Sequence, residues 1–252
     1  MLYKNVIIPK NLSKKELIKY FKKYKLLEFI SDTNFKSDTI SPEINDLYRI
    51  HAFVTLNKRI SVLEYGCGWS TSVFANALNH NKEKFKDKIR NFRFQRPFKI
   101  TTIENSKKYL DICKKRNQKR FENIIFHYSK CTMRDFKGIY CSFYDKFAIF
   151  NPDFIYIDGP DPMLVNDSKN GFSNRSQCLP PVSGDILKIE PFLLPGTLVV
   201  IDGRTSNARF LKNNLQRNWV YFEDFKNDQN ILYLNEKPIG KTNLEQIKFY
   251  KS

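Results

Sequence analysis

Five short apolar runs constrain this chain more than anything else in it: SVLEY (61–65), KITTIE (99–104), NIIFHY (123–128), DFIYID (153–158) and TLVVID (197–202). Segments with helical spacing of apolar residues, 70–79, 106–118, 183–193 and 205–217, alternate with them. Short apolar strands separated by helices read as a parallel sheet covered on both faces. Right-handed crossovers then bring the strand C-termini to one edge. After the last helix come WVYFED and NILYLNEK, joined by a polar turn around Asn227-Asp228. Two strands joined so tightly must pair antiparallel. The expected fold class is α/β: a Rossmann-like, doubly wound, mostly parallel seven-stranded sheet with a terminal antiparallel hairpin and N-terminal helices.

Upstream of the sheet, residues 12–27 carry apolar residues at helical spacing on a basic background, with Ser13 as N-cap. A second helix is predicted from Ser41-Pro42, with the proline in its first turn, to about Asn57. Residues 1–57 are read as an N-terminal helical addition and 58–252 as the sheet domain. A chain of 252 residues with 41% hydrophobic content suits one such domain and a sizeable core. No run approaches the roughly 18 apolar residues of a membrane span. The start, MLYKNVIIPKNLSKKEL, lacks the apolar stretch and cleavage site of a signal peptide. Cys67, Cys113, Cys131, Cys141 and Cys178 are odd in number and include no C-x-x-C pair. They read as reduced thiols of a cytoplasmic protein, with neither a zinc site nor a disulfide frame.

A formal charge of +17 invites a nucleic-acid reading, but Lys is spread along the whole chain. Only residues 81–99 concentrate it, with eight Lys/Arg against two acids and interleaved Phe. The expectation is a solvated insertion; attraction to an anionic substrate or polymer is the alternative.

Open α/β sheets bind ligands beyond the carboxyl ends of their strands. Here those ends read Glu64-Tyr-Gly-Cys-Gly, Glu104-Asn105, Tyr128-Ser129, Asp158-Gly-Pro and Asp202-Gly-Arg. A merely structural edge has no use for four carboxylates that repel one another, so a site is expected there. Gly66 and Gly68 permit a sharp turn and close ligand approach. Ser70 and Thr71 stand at the entrance to the next helix, where hydroxyls cap free amides. Glu104 is placed to accept hydrogen bonds from a ribose diol. Thr71 replaces the third glycine of a dinucleotide motif, and Glu64 would repel a pyrophosphate but suit a cationic ligand.

These features together resemble the class I S-adenosylmethionine-dependent methyltransferases. E-Y-G-C-G-W-S-T is similar to the E-x-G-x-G-x-S-T variant of the small-molecule O-methyltransferase-like families, and the likeness spans roughly residues 60–235. It implies S-adenosylmethionine as cofactor. Glu64, Gly66 and Gly68, with Ser70 and Thr71, would hold the methionine end. Glu104 and Asn105 would lie at the ribose, Ser129 by the adenine, and Asp158 between cofactor and acceptor.

Methyl transfer is an in-line displacement for which the protein supplies alignment and, for a hydroxyl acceptor, a proton acceptor. Asp158 and Asp202 are the expected catalytic carboxylates, with Arg204 orienting the acceptor. Catechol-type relatives bind a divalent metal at acids matching Asp158 and Asp202. Gly203 stands where their Asn would be, so no metal ligand is assigned, although two carboxylates could hold Mg²⁺. His127 reads as packed. Asn151-Pro-Asp-Phe resembles an amino-methyltransferase motif but begins its strand, at the wrong edge. The long segment 159–185 is expected to cover the acceptor, and segment 130–151 to supply another wall.

The resulting expectation is O-methylation of a small or sugar-like (glycan) acceptor. An RNA or nucleic-acid methyltransferase using residues 81–99, and a non-catalytic binding module, are the alternatives. Nothing in the sequence assigns an oligomeric state.

Overall fold

The computed structural model describes residues 6–27, 41–146, 150–175 and 182–252. Strands β1 (Ser61–Tyr65), β2 (Lys99–Glu104), β3 (Ile124–Tyr128), β6 (Phe154–Ile157) and β8 (Leu198–Asp202) are the five apolar runs. They join β9 (Trp219–Asp224) and β10 (Gln229–Leu234) in one sheet of order β3-β2-β1-β6-β8-β10-β9. Only β10 runs against its neighbours, pairing antiparallel with both β8 and β9. This is the expected doubly wound sheet with its terminal hairpin. The hairpin turn is a short 3₁₀ segment ended by Asp228 in the left-handed region, where Asp is tolerated.

Strand periodicity explains how two cores share one sheet. Val62, Phe154, Tyr156, Leu198, Val200 and Ile231 point to one face and join a single apolar cluster. Leu63, Ile155, Ile157, Val199, Ile201 and Leu232, their immediate neighbours in sequence, join the other. The first face is covered by α1 (Lys14–Lys23), α2 (Ile44–Leu56) and α3 (Trp69–Phe85). Ser13 caps α1 reciprocally with Glu16, as its S-x-x-E spacing implies. Buried His51 on α2 meets Tyr20 Oη at 2.7 Å and Asn76 Oδ1 at 3.0 Å, locking the three helices together. Arg49 ties α2 to the far strands, donating to Asp224 at 2.7 Å and Gln229 at 2.8 Å. The proline-led start of α2 is corrected: Glu43 is the N-cap and Pro42 lies outside the helix.

The second face carries α5 (Asp185–Ile189), α6 (Thr205–Asn214) and, beside them, an unanticipated small sheet. There β4 (Cys131–Phe136) and β5 (Ile139–Tyr144) form a hairpin, and β7 (Val165–Asn166) pairs parallel with β4. Of the segment 159–185, expected to cover an acceptor, residues 176–181 lie outside the described residues; its part 159–175 is tied into structure through β7 and the stack of Phe172 on Tyr140. The helix expected over 183–193 shortens to five residues and passes into a 3₁₀ turn at Pro191, which lacks a donor to continue it.

Helix α4 (Lys107–Asn117) follows β2, and a C-terminal helix α7 (Gly240–Lys251), not foreseen from the sequence, closes the chain. Phe249 of α7 gathers Phe85, Phe92, Phe94 and Phe98 from the basic 81–99 segment into a third cluster. That segment connects the end of α3 to the start of β2, so it lies at the N-terminal edge of the sheet. Asp153 is at the same edge, where it accepts from the amides of Ile60 and Ser61. The Asn151-Pro-Asp-Phe stretch is thus structural, as its position in the strand implied.

The chain leaves β1 and β6 toward opposite faces, and between them the backbones touch. A Cβ on Gly159 would lie 2.7 Å from Gly66 N and 2.7 Å from Tyr144 Oη. Gly66 itself has φ +95°, which only glycine adopts without strain. Gly159→Ala is expected to destabilise the fold by about 1–3 kcal/mol through overpacking, read from the midpoint of urea unfolding.

Candidate functional site

Because β1, β2, β3, β6 and β8 are parallel, Glu64, Glu104, Ser129, Asp158 and Asp202 come to one edge, as expected. A cavity of about 320 Å³ opens there, at the low end for small-ligand sites. Gly68 and Ser70 of the glycine turn form one wall, and Tyr156, Asp158 and Asp202 form its floor. The remaining walls come from α4, through Tyr109, Ile112 and Arg116, and from α2, through Asp46, Leu47 and Ile50.

Behind the glycine turn sits Glu64, fully buried. Ser70 Oγ donates to one of its oxygens at 2.5 Å and Thr71 Oγ1 to the other at 2.7 Å. Thr71 Oγ1 also accepts from the amide of Gly68 at 3.1 Å, so carboxylate, hydroxyl and turn form one relay. Burial pushes the Glu64 carboxyl up to about 8, against the lowering effect of the two hydroxyls. Glu104 plays a matching part on the next strand. It accepts from the amides of Cys67 at 2.9 Å and Ser106 at 2.6 Å, and burial raises its pKa while those bonds lower it.

The floor and the α2 wall are acidic. Tyr156 Oη donates to Asp202 at 2.7 Å, and burial raises the Asp202 pKa. Asp46 is pushed up to about 7, first by burial and then by the charges of Asp202 and Glu43. Asp158 is pushed up to about 6 by the surrounding protein; Arg204 opposes this, and Asp202 and Glu104 reinforce it. Its side chain is 58% accessible, so water at the cavity mouth screens part of that push. Arg204 lies 3.8 Å from Asp158, a loose pairing.

Arg204, expected to orient the acceptor, does not line the cavity, and the other expected residues divide into three groups. Gly68, Ser70, Asp158 and Asp202 line the cavity. Glu64, Gly66, Thr71 and Glu104 stand directly behind them and hold the turn. Asn105 and Ser129 fix neighbouring loops instead. Asn105 exchanges two bonds of 3.0 Å with the backbone of Asp161. Ser129 accepts from Lys146 N and donates to Lys130 O. No residue of 159–175 lines the cavity among the described residues; α2 and α4 do that work. His127 is half-buried on β3, with its pKa lowered by burial.

Sequence reasoning missed Asp46, Tyr109, Ile112, Arg116 and the α2 wall. Arg116 stacks on Trp69 with its guanidinium carbon 3.8 Å from the ring centroid. Trp69 belonged to the glycine motif, but its partner is 47 positions away on α4, without any local pattern to announce it. No group of three or more His, Cys, Asp or Glu side chains among the described residues is arranged to hold a metal ion.

No family model matches the chain, and no curated protein matches it. Among solved structures, it is similar to an O-methyltransferase from Bacillus cereus in complex with SAH, at 15% identity over 92% of this chain and 94% of that one, TM-score 0.43. It is similar to the O-methyltransferase TomG from Streptomyces achromogenes in complex with SAM, at 13% identity over 93% and 94%, TM-score 0.42. It is also similar to the SAH-bound Podospora anserina methyltransferase PaMTH1, at 11% identity over 91% and 99%, TM-score 0.46. At identities and scores this low, such likenesses decide nothing about the chemistry of this chain.

The Glu64 relay has a consequence for stability. An acid whose pKa rises on folding keeps a proton that the unfolded chain has lost. Its contribution is therefore most favourable below about 4.5 and is lost as pH climbs toward about 8, levelling off above that. Glu64→Gln is expected to flatten this fall. The check is the wild-type minus variant difference in urea midpoints measured at about pH 5 and about pH 8.

Proposed function

We propose that the chain is an S-adenosylmethionine-dependent methyltransferase acting on a small acceptor, with a hydroxyl oxygen as the favoured methyl recipient. The observation that carries this reading is the cavity at the β1/β6 switch point, bordered by a glycine turn that two buried carboxylates grip from behind. An adenosine compound with a cationic methionine end fits that edge, because Glu104 and Asp158 stand by the turn and a cation there would favour the charged form of Glu64, which burial otherwise keeps protonated. Gly68 and Ser70 would face the methionine end, with Glu64 acting through Ser70 and Thr71. Glu104 uses one bond on each oxygen for backbone amides, leaving about half of its roughly four lone-pair positions for a ribose diol. The Trp69–Arg116 pair offers a flat face on which an adenine could stack. Asn105 and Ser129 would then shape the pocket through its loops.

For the chemistry, the cofactor supplies the sulfonium and the methyl group. What this chain adds is alignment in a partly dry cavity and a proton acceptor. Asp158 is the candidate: it borders the cavity, and its raised pKa brings it nearer to neutrality, where a general base works best. Asp202, held by Tyr156, sets the local charge. Arg204 is offset by Asp158 and stands among acids, so a neutral or cationic acceptor suits this rim better than an anionic one.

The polymer alternative meets a geometric difficulty. Residues 81–99 lie at the sheet edge opposite the cavity, and their phenylalanines are spent on α7. A nucleic acid held there would not present its base at the glycine turn.

Isothermal titration with S-adenosylmethionine and S-adenosylhomocysteine tests the reading directly. Both are expected to bind and to change the fluorescence of Trp69. Glu104→Ala should weaken binding by roughly 1–3 kcal/mol, the scale for hydrogen bonds to a charged group. Failure of both compounds to bind at millimolar concentration would favour the non-catalytic module instead.

A further inference from the structure

We infer that Cys67 and Cys113 form a reversible dithiol–disulfide site in the wall of the cavity, whose oxidation closes the cofactor end. Closure of that end rests on the function proposed above; the bond itself does not.

The two cysteines are 46 positions apart in sequence, on the glycine turn and on α4, yet both border the same cavity. Each thiol is the largest influence on the titration of the other, so the two sulfurs stand close together. Cys113 Sγ also lies 3.6 Å from the carbonyl of Gly68, the residue after Cys67, and Asn117 Nδ2 donates to it at 3.5 Å. Both thiols are free. Cys113 is the member that gives up its proton more readily, because the Cys67 thiol and the nearby Arg116 charge lower its pKa, whereas Cys67 is raised by its contact with Cys113 and by burial; in the structure Cys113 S–H donates to the Gly68 carbonyl. Cys131 and Cys141 do not line this cavity, and burial raises the pKa values of both.

Hydrogen peroxide is small enough to enter through the cavity. The Cys113 thiolate attacks one peroxide oxygen, the O–O bond breaks, and hydroxide leaves, so sulfur is oxidised and the peroxide reduced. The Cys67 sulfur then attacks the sulfenic sulfur; the S–S bond forms, and the hydroxyl leaves as water with the Cys67 proton. Drawing the two sulfurs together to about 2 Å pulls the turn toward α4. The Cys67 amide is then drawn from Glu104 and the Gly68 amide from Thr71, and the cavity narrows where the methionine end would lie.

The experiment treats the full chain with hydrogen peroxide, then reads intact mass and a non-reducing peptide map, followed by titration with S-adenosylhomocysteine before and after dithiothreitol. The expected result is loss of two hydrogens with a Cys67–Cys113 peptide. Binding should weaken on the order of tenfold, the cost of losing one or two hydrogen bonds to a charged group, and return on reduction. Cys67→Ser and Cys113→Ser should each abolish the bridge, and Cys141→Ser should keep it. A bridge elsewhere, or two thiols still open to alkylation after peroxide, overturns the dithiol site. A bridge at these residues that leaves measurable binding unchanged overturns the closure. If the reduced chain binds no S-adenosylhomocysteine, the proposed function fails; the closure fails with it, while mass and map still judge the bridge.

Discussion

The contact between the Gly66 and Gly159 backbones sets the geometry on which the rest of the edge depends. Parallel neighbours whose chains depart to opposite faces must separate, and the separation is what makes room for a ligand. Side chains at either position would force β1 and β6 further apart. Their absence lets the glycine turn lie over the start of the Asp158 loop, with Tyr144 closed in beneath. Glu64 and Glu104 then hold the turn from two strands, one through hydroxyls and the other through backbone amides.

Electrostatics at this edge run against the chain as a whole. A protein of formal charge +17 gathers Glu43, Asp46, Asp158 and Asp202 around one cavity. Burial and repulsion from neighbouring acids raise the pKa of Asp46, Asp158 and Asp202, which is the cost of placing acids together, and Arg49 and Arg204 offset only part of it. A positively charged ligand relieves that cost, whereas an inorganic or phosphorylated anion adds to it. The basic residues of 81–99 answer to a different constraint. Lys82 and Lys84 complement the C-terminal end of the α3 dipole, and the aromatic residues beyond them seal the far edge.

The strands and their directions were legible because strand signals are local: a period of two, branched apolar residues and an abrupt polar end. The same locality made the Ser13 cap and the β9–β10 hairpin readable. The small sheet was not readable, since β4 finds its second partner only 34 positions downstream, Cys131 against Val165, in the two residues of β7. Segment 159–185 looked like a cover for the acceptor because of its length and because it leaves the ligand edge directly. The place of its residues 159–175 is decided by the pairing of β7 with β4, which leaves no mark on the segment's own sequence.

The sequence by itself determined that acids and glycines would meet on one rim, because in a parallel sheet every strand's last residue arrives at the same edge. Tertiary structure alone decided what encloses that rim. Arg116 over Trp69, Cys113 against Cys67 and Asp46 facing Asp202 come from helices whose sequences specify an apolar face and no partner. Side-chain contacts between distant segments arise from how those faces pack, and packing is a property of the whole chain.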